Sequence, residues 1–262
     1  MPLFNLFRKK PDKQPSEKQE TAQPQPPQIR YEGENFKMVE GFDDVKVVLE
    51  RAMEMQRRTV LTGGDYRLHV LLAGPPGIAK TMLLMSVEKE IPAENRVFLL
   101  GSQLSKAGLR NKLIEAGDKI QYVLIDELDK MGEKTDYDVL LSLMQTGRIS
   151  VLKASIEADV TCMATVFATA NYLEKIPPEL LDRFMILYLP QYQPEDFMKV
   201  AVRMLREYGM NELDARSIAA TMWRMGFRSA RDVLRVARYS MGDTRQALVC
   251  LQIMASRAPP RR

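Results

Sequence analysis

Hydrophobic and polar residues along this chain follow two alternating patterns. Continuous apolar runs, each typical of a strand buried on both faces, occur at HVLLAG (69–74), RVFLLG (96–101), YVLID (122–126) and TVFATAN (165–171). Helical stretches separate these runs, and the first of them is TMLLMSVEKEI (81–91). Buried strands that alternate with helices predict an α/β fold, with a parallel sheet flanked by helices.

Longer helical patterns lie on both sides of this region. FDDVKVVLERAMEMQRR (42–58) has apolar residues at helical spacing, with acids first and arginines last, an order that favours the helix dipole. Residues 194–256 are helical in pattern throughout. We therefore predict an α/β domain over residues 35–189, a small all-α domain over residues 190–256 and a basic tail at 257–262.

The amino-terminal segment has a different composition. Residues 9–28 are rich in proline, glutamine and lysine, and outside proline their only apolar residue is Ala22. Such a segment cannot bury enough surface to offset the entropy of ordering it, so we predict a disordered, basic tether over residues 1–34. LFNLF (3–7) is a candidate docking motif for a protein partner or a weak membrane contact, with a frayed terminus as the alternative.

Composition narrows the classes of function. The chain has 262 residues, 45% of them hydrophobic, and a formal net charge of +4. The first 30 and last six residues together have a larger positive net charge than the whole chain, so charge alone is weak support for DNA binding by the residues between them. The chain has no run of 18 apolar residues and no secretory signal, which predicts a cytoplasmic protein without a membrane span. Cys162 and Cys250 are predicted to be buried, reduced thiols.

The loop after the first predicted strand reads GPPGIAKT (74–81). It matches the phosphate-binding pattern G-x-x-x-x-G-K-[ST], except that Ala79 stands at the second glycine. A strand, a glycine-rich loop and a helix direct backbone N–H groups and the helix dipole at one point. Lys80 is expected to reach the β- and γ-phosphates of a nucleotide, and the Thr81 hydroxyl to bind Mg²⁺.

We expect Ala79 to adopt a negative φ, so that its small side chain leaves the phosphate cradle intact. A chance turn before a helix is the alternative, but the preceding strand and the following helix argue against it. The predicted nucleotide-binding residues of the loop are Gly74, Pro75, Pro76, Gly77, Ile78, Ala79, Lys80, Thr81 and Met82.

Two adjacent acids end the predicted strand in YVLIDELDK (122–130). In a doubly wound sheet this strand end lies beside the phosphate loop. Asp126 is expected to hold Mg²⁺ through its water shell, and Glu127 to polarise the attacking water as an ionised carboxylate. Alone, the pair is also compatible with a strand-end cap or a solvated turn; downstream of GPPGIAKT it indicates a nucleotide-hydrolysing site.

With both motifs in place, the chain resembles the AAA+ ATPases from about Met38 to about Ala255. The resemblance implies a P-loop NTPase core followed by a helical lid, with ATP and Mg²⁺ as cofactors. It also implies a homo-oligomer, a ring of six subunits, in which neighbouring subunits share the hydrolysis sites.

Two further strings resemble motifs around the nucleotide. MVEGFDDVKVVL (38–49) resembles the stretch that binds adenine in this family, which implies that Val39 and Gly41 contact the base. TAN (169–171) resembles the sensor-1 motif, in which Asn171 would help to position the attacking water. The alternative for Asn171 is a turn residue at the end of a strand.

The resemblance also assigns roles to arginines. PPELLDRF (177–184) resembles the arginine-finger region, so that Arg183 would reach the γ-phosphate of a neighbouring subunit. A surface ion pair with Asp182 or Glu179 is the alternative.

The sensor-2 arginine has two candidates. SARDVLRVAR (229–238) places Arg231 at the start of a lid helix, where this arginine belongs, whereas GDTRQAL (242–248) resembles the clamp-loader signature and nominates Arg245. Two lid helices should precede the arginine rather than three, which favours Arg231.

At a finer level the chain is similar to the minichromosome-maintenance helicases, which share the alanine of GPPGIAKTMLL, and to RuvB-type motors. GRISVLKASIEADVT (147–161) has enough alternation and β-branched residues to form a hairpin before the sensor-1 strand. In those helicases such hairpins line a central pore and a lysine touches the DNA backbone, which implies that role for Lys153. A lysine solvated at a hairpin tip is the alternative.

These resemblances leave more than one function open. The first is a ring motor acting on DNA, such as a helicase, translocase or loader subunit. The second is a protein-remodelling ATPase of the MoxR kind, which also has such a hairpin; GSQLSKAGLRNKL (101–113) lacks the aromatic residue of protein-threading members. The third, a nucleotide-gated scaffold, is disfavoured by Glu127, Asn171 and Arg183.

Overall fold

The computed structural model describes residues 30–37, 39–132, 134–153 and 156–257. The strands are β1 (Val70–Ala73), β2 (Arg96–Leu100), β3 (Tyr122–Asp126), β4 (Arg148–Lys153), β5 (Ile156–Thr161), β6 (Thr165–Ala170) and β7 (Met185–Tyr188). Five of them form one parallel sheet in the order β2-β3-β6-β1-β7. The predicted parallel α/β fold is therefore confirmed.

Burial within the sheet depends on the position of each strand. The inner strands β1, β3 and β6 are buried along their whole length, because strands lie on both sides of them and helices cover both faces. β2 lies at one edge and is only partly buried, so the prediction of burial on both of its faces is wrong. β7 forms the other edge, pairs with β1 and has largely exposed side chains; it lies in the apolar run FMILYL (184–189), which was not predicted as a strand.

Helices cover both faces of the sheet. The α-helices of the described residues are α1 (Asp43–Thr62), α2 (Lys80–Lys89), α3 (Lys106–Ala116), α4 (Asp138–Thr146), α5 (Pro178–Leu181), α6 (Pro194–Glu207), α7 (Glu212–Arg224), α8 (Ala230–Ser240) and α9 (Thr244–Ser256). Successive strand residues point to opposite faces. Leu124 and Phe167 accordingly pack with α1 and α2 in one core, whereas Val123 and Val166 pack with α3 and α4 in the other.

The hairpin predicted before the sensor-1 strand is present. β4 and β5 pair antiparallel, from Arg148 opposite Thr161 to Lys153 opposite Ile156. Gly147, at a left-handed φ of 70°, ends α4 and starts the hairpin, and it accepts a hydrogen bond from the N–H of Cys162 at 2.7 Å. The hairpin therefore projects from a hydrogen-bonded base.

The helices α6 to α9 follow the sheet, and α6 packs against both α7 and α8. Their apolar side chains, such as Phe197 and Ala219, join the core that contains α1 and α2. The assignment of residues 190–256 to a separate lid domain stays a prediction. Residues 1–29 of the predicted tether and residues 258–262 of the predicted tail lie outside the described residues. Among the helices that are described, none is long and apolar enough to cross a membrane.

Candidate nucleotide-binding site

The GPPGIAKT loop connects β1 to α2 at the carboxyl end of the sheet. Its first glycine, Gly74, has a φ of 142°, and a Cβ at this position would clash with the carbonyl oxygen of Leu189. Gly77 has a φ of 84°, and a Cβ there would clash with the Ser229 hydroxyl. The N–H of Ala230, the first residue of α8, donates a hydrogen bond to the Gly77 carbonyl at 3.0 Å. The loop is therefore in direct contact with α8.

Ala79 has a left-handed backbone, with φ 68° and ψ 9°. The expectation of a negative φ at this position is therefore wrong. The chain has to reverse here so that α2 can begin at Lys80, and the glycine of the usual pattern adopts that conformation without a steric cost. An alanine has the smallest Cβ substituent that can take its place, at a cost of about 1 kcal/mol.

Lys80 is folded back on its own loop and is 7% exposed. Its Nζ donates to the carbonyl oxygens of Gly74 and Pro75, both at 2.7 Å, and to Oδ1 of Asn171 at 2.9 Å. Burial lowers the pKa of Lys80 to about 8; the negative charge of Asp129 opposes this shift and the positive charge of Arg231 adds to it. The ammonium group is thus placed at the centre of the site.

The predicted metal-binding oxygens lie side by side. The Thr81 hydroxyl is 3.1 and 3.2 Å from the two carboxylate oxygens of Asp126, to which it donates. Asp126 is 8% exposed at the end of β3. A hydroxyl and a carboxylate at this separation are hard oxygen donors of the kind that Mg²⁺ selects. These two residues therefore fit a magnesium ion shared with nucleotide phosphates.

Glu127 follows at a left-handed φ of 57°. Its carboxylate forms an ion pair with Lys130 at 2.7 Å, and the Glu127 side chain is 30% exposed. Ion pairs that remain this accessible to water contribute about 0–1 kcal/mol. The carboxylate can therefore exchange Lys130 for a water molecule without a large penalty.

Three site residues were not predicted from the sequence. Thr169 is 1% exposed and contacts both predicted acids; Asp129 is 4% exposed and accepts the N–H of Asn171 at 3.1 Å. Gly101 packs so tightly on the Glu127 carbonyl that a Cβ would clash with it. The signal for Thr169 was its spacing, because residues two apart in a strand share a face and Thr169 lies two before Asn171.

A cavity of about 200 Å³ lies between these groups and α8. The residues that line it include Pro76, Gly77, Ala79, Lys80, Thr81, Met82, Asp126, Glu127, Thr169, Asn171 and Arg231. The cavity therefore brings the loop, both acids and the first turn of α8 to one place. Ile78, by contrast, has its side chain buried in the core, 1% exposed.

A second cavity, of about 190 Å³, shares Ala79, Met82 and part of α8 with the first. Val39 and two tyrosines, Tyr192 and Tyr208, line it. Glu40, Arg203 and Glu207 also line it, and the apolar and aromatic part of the lining suits a flat heterocyclic base. The predicted contact residue Gly41 does not line this cavity; its φ of 72° instead shapes the chain just before α1.

Comparison with known proteins now decides the family. The model of the MCM P-loop domain matches residues 36–195, which is more than half of the chain. The chain belongs to the AAA+ ATPases, within the MCM P-loop domain family. These families hydrolyse ATP.

Curated relatives and solved structures agree with this AAA+ assignment. A peroxisomal Lon protease homologue from Zea mays is 31% identical over 167 residues, 53% of this chain and 18% of the relative. A mitochondrial Lon protease homologue from Schizosaccharomyces pombe is 29% identical over 182 residues, 62% of this chain and 17% of the relative. The AAA+ chain thus spans under a fifth of the length of these relatives.

The fold itself is similar to that of RuvB from Thermotoga maritima, described as a Holliday junction branch migration motor. The two share 20% identity with a TM-score of 0.60, over 82% of this chain and 70% of the RuvB chain. At this identity the similarity supports the AAA+ fold alone.

The structure separates the two candidate sensor-2 arginines of the AAA+ chain. Arg231 lies in the first turn of α8, after two helices of the helical region, and lines the nucleotide cavity. Arg245 lies in the first turn of α9, is exposed, and does not line that cavity. The geometry therefore brings only Arg231 to the site.

Arg183, a described residue, does not line this cavity. Arg183 is exposed between α5 and β7, and within the described parts of the chain it has no ion pair with Asp182 or Glu179. Lys153 is the last residue of β4, and its side chain is outside the described portion.

Proposed function

We propose that this AAA+ module binds ATP with Mg²⁺ in the two adjoining cavities and hydrolyses it. The observation that carries the proposal is the convergence of Lys80, Thr81, Asp126, Glu127 and Arg231 on one cavity. Thr81 and Asp126 would hold Mg²⁺ there, and the ion would neutralise negative charge on the phosphates during transfer.

The chain's own residues then have separate tasks. Lys80 exchanges its two loop carbonyls for phosphate oxygens, while Thr81 and Asp126 hold the metal. Glu127 releases Lys130 and takes the proton of the attacking water, which requires a carboxylate within hydrogen-bond reach. Asn171 orients the γ-phosphate and the water; the 2.9 Å separation of its Oδ1 from Lys80 Nζ supports this role.

We further propose that the module works as a homo-oligomeric ring, of six subunits, in which Arg183 completes the site of a neighbour. Its exposure and its absence from the lining of its own cavity support this role, because an arginine finger stabilises the charge of the γ-phosphate in trans.

Mixing two inactive variants tests this arrangement. R183A subunits retain their own loop, and K80A subunits retain their arginine, so mixed rings should contain some complete sites. We expect each variant alone to be inactive and the mixture to recover part of the ATPase rate. A mixture as inactive as its components would remove the finger in trans while leaving nucleotide binding intact.

We propose DNA as the substrate, contacted by the β4–β5 hairpin through Lys153. The family match to the MCM P-loop domain and the RuvB-like fold support it. K153A should lower both DNA-stimulated ATPase and the salt dependence of DNA binding, since lost phosphate contacts reduce counterion release. K112A, which removes an exposed lysine from α3, is the matched control. Absence of any salt-sensitive DNA binding by the native protein would refute this substrate.

A protein substrate, as for a MoxR-like remodelling ATPase, is the second candidate. Sequence identity to the Lon protease homologues favours it, and the absence of an aromatic residue from 101–113 disfavours a threading mechanism. Stimulation of ATPase by an unfolded protein but not by DNA would select this candidate. For either substrate, we also propose a protein partner for the amino-terminal segment and a cytoplasmic location.

A further inference from the structure

Thr169 occupies a position between the two acids of the site. It lies in β6, which pairs in parallel with β3 so that Ala168 is opposite Ile125. Its hydroxyl donates to Oδ1 of Asp126 at 2.5 Å and accepts the N–H of Glu127 at 2.9 Å. A hydroxyl has a single proton to donate, and here that proton is committed to Asp126.

The first contact orients the metal-binding carboxylate. Asp126 receives two hydroxyl groups, one from Thr81 and one from Thr169, and the contact with Thr169 is the shorter. The buried Thr169 therefore fixes the rotation of the carboxylate. Oδ2, to which Thr81 alone donates within the described part of the chain, at 3.2 Å, is left to face a metal and its water shell. Outer partners of this kind set the orientation of metal ligands, and their loss costs about 10–100-fold in metal affinity or activity.

The second contact holds the backbone of the residue that activates water. Glu127 has a left-handed backbone, a conformation that non-glycine residues keep only when their surroundings enforce it. Thr169 accepts its N–H, and Gly101 leaves room for its carbonyl on the other side. The direction of the Glu127 side chain follows from this clamped peptide.

We propose that Thr169 is a positioning residue that sets the metal-binding carboxylate of Asp126 and the backbone of Glu127 through one hydroxyl group. This inference rests on the proposed ATP and Mg²⁺ site. Thr169 in β6 thus orients Asp126 and Glu127, which lie at the end of the neighbouring strand β3.

The test compares three variants of the full chain. T169V keeps the shape and removes the hydroxyl, T169S keeps the hydroxyl, and T165V is the matched control. Thr165 is also buried in β6, but its hydroxyl donates to Gln56, at 2.7 Å, and neither residue lines the cavity. The readouts are the affinity for a fluorescent ADP with and without Mg²⁺, the ATPase rate, and the unfolding midpoint without ligand.

We expect T169V to lose about 10-fold or more of the Mg²⁺-dependent gain in ADP affinity, with little change in affinity in EDTA, and to hydrolyse ATP slowly. T169S should stay within about 3-fold of the native protein in the Mg²⁺-dependent gain in ADP affinity and in the ATPase rate. T165V should lower the unfolding midpoint without changing the Mg²⁺-dependent gain. If T169V does not fold, T169A is compared in the same way.

The outcomes separate this inference from the proposal on which it rests. If the native protein shows no Mg²⁺-dependent binding of ADP, the proposed site itself fails. If the native protein shows it and T169V or T169A keeps the full gain and rate, Thr169 has no positioning role. Equal losses of the Mg²⁺-dependent gain and of the ATPase rate in T165V and T169V would also overturn the inference, because a general loss of stability would then explain both variants.

Discussion

Protonation of His69 should destabilise the fold below neutral pH. His69 precedes β1 and is 7% exposed. Its Nδ1 accepts the N–H of Val166 at 3.0 Å, and its Nε2 lies 3.3 Å from the carbonyl oxygen of Met144, to which it can donate. These partners require a neutral ring, since a protonated Nδ1 cannot accept.

The size of this destabilisation follows from the pKa of the His69 ring. Burial, followed by the charge of Arg67, lowers the pKa of His69 to about 4, against the opposing effects of the Met144 carbonyl and Asp65. In the unfolded chain the pKa is about 6.5. The unfolded state therefore binds the proton first as pH falls, and the neutral ring's full contribution is present only above about pH 6.5. Between pH 8 and pH 5 the linkage relation gives a loss of about 2 kcal/mol, and the loss grows further towards pH 4.

Urea unfolding followed by circular dichroism at pH 8, 7, 6 and 5, at constant ionic strength, measures this loss. H69N is the control, because an asparagine amide oxygen can still accept the Val166 N–H and does not titrate. H69N should be less stable than the native protein at pH 8, but its free energy of unfolding should fall by about 2 kcal/mol less between pH 8 and pH 5. Identical pH dependence in the two proteins would refute the assignment of a low pKa to His69.

Three further outcomes are expected. E127Q should bind ATP with native affinity but hydrolyse it about 10²–10⁴-fold more slowly, as measured by equilibrium binding and steady-state turnover; native turnover would exclude Glu127 as the base. A79G should raise the free energy of unfolding by about 0.5–1 kcal/mol, because glycine relieves the left-handed alanine, and chemical denaturation would detect no gain if that strain were absent. R231A should reduce ATPase activity while R245A should not, and the reverse result in a parallel assay would transfer the sensor-2 role to Arg245.

The inner strands and the phosphate loop could be predicted because their signals are local. β1, β3 and β6 are covered on both faces, so each is a continuous apolar run that stands out in the sequence. The loop motif has a required order of residues within a few positions, and the adjacent acids follow a strand directly. Each of these features depends on neighbours in the chain, which a sequence displays.

The edge strands could not be read in the same way. RVFLL in β2 has the apolar run of a buried strand but lies at an edge, whereas MILY in β7 forms a strand with its side chains largely exposed. Whether a strand is inner or outer depends on the order of the whole sheet, and that order is a tertiary property.

The sequence by itself determined the class of fold, the phosphate loop and the pair of acids at the end of β3. Only the tertiary structure decided the left-handed conformation of Ala79, the choice of Arg231 over Arg245 at the cavity, and the contacts of Thr169. For the arginine and the threonine the physical reason is distance along the chain: Thr169 and Glu127 are 42 positions apart, and one hydroxyl can contact the Asp126 carboxylate and the Glu127 N–H only after parallel pairing has placed β6 beside β3.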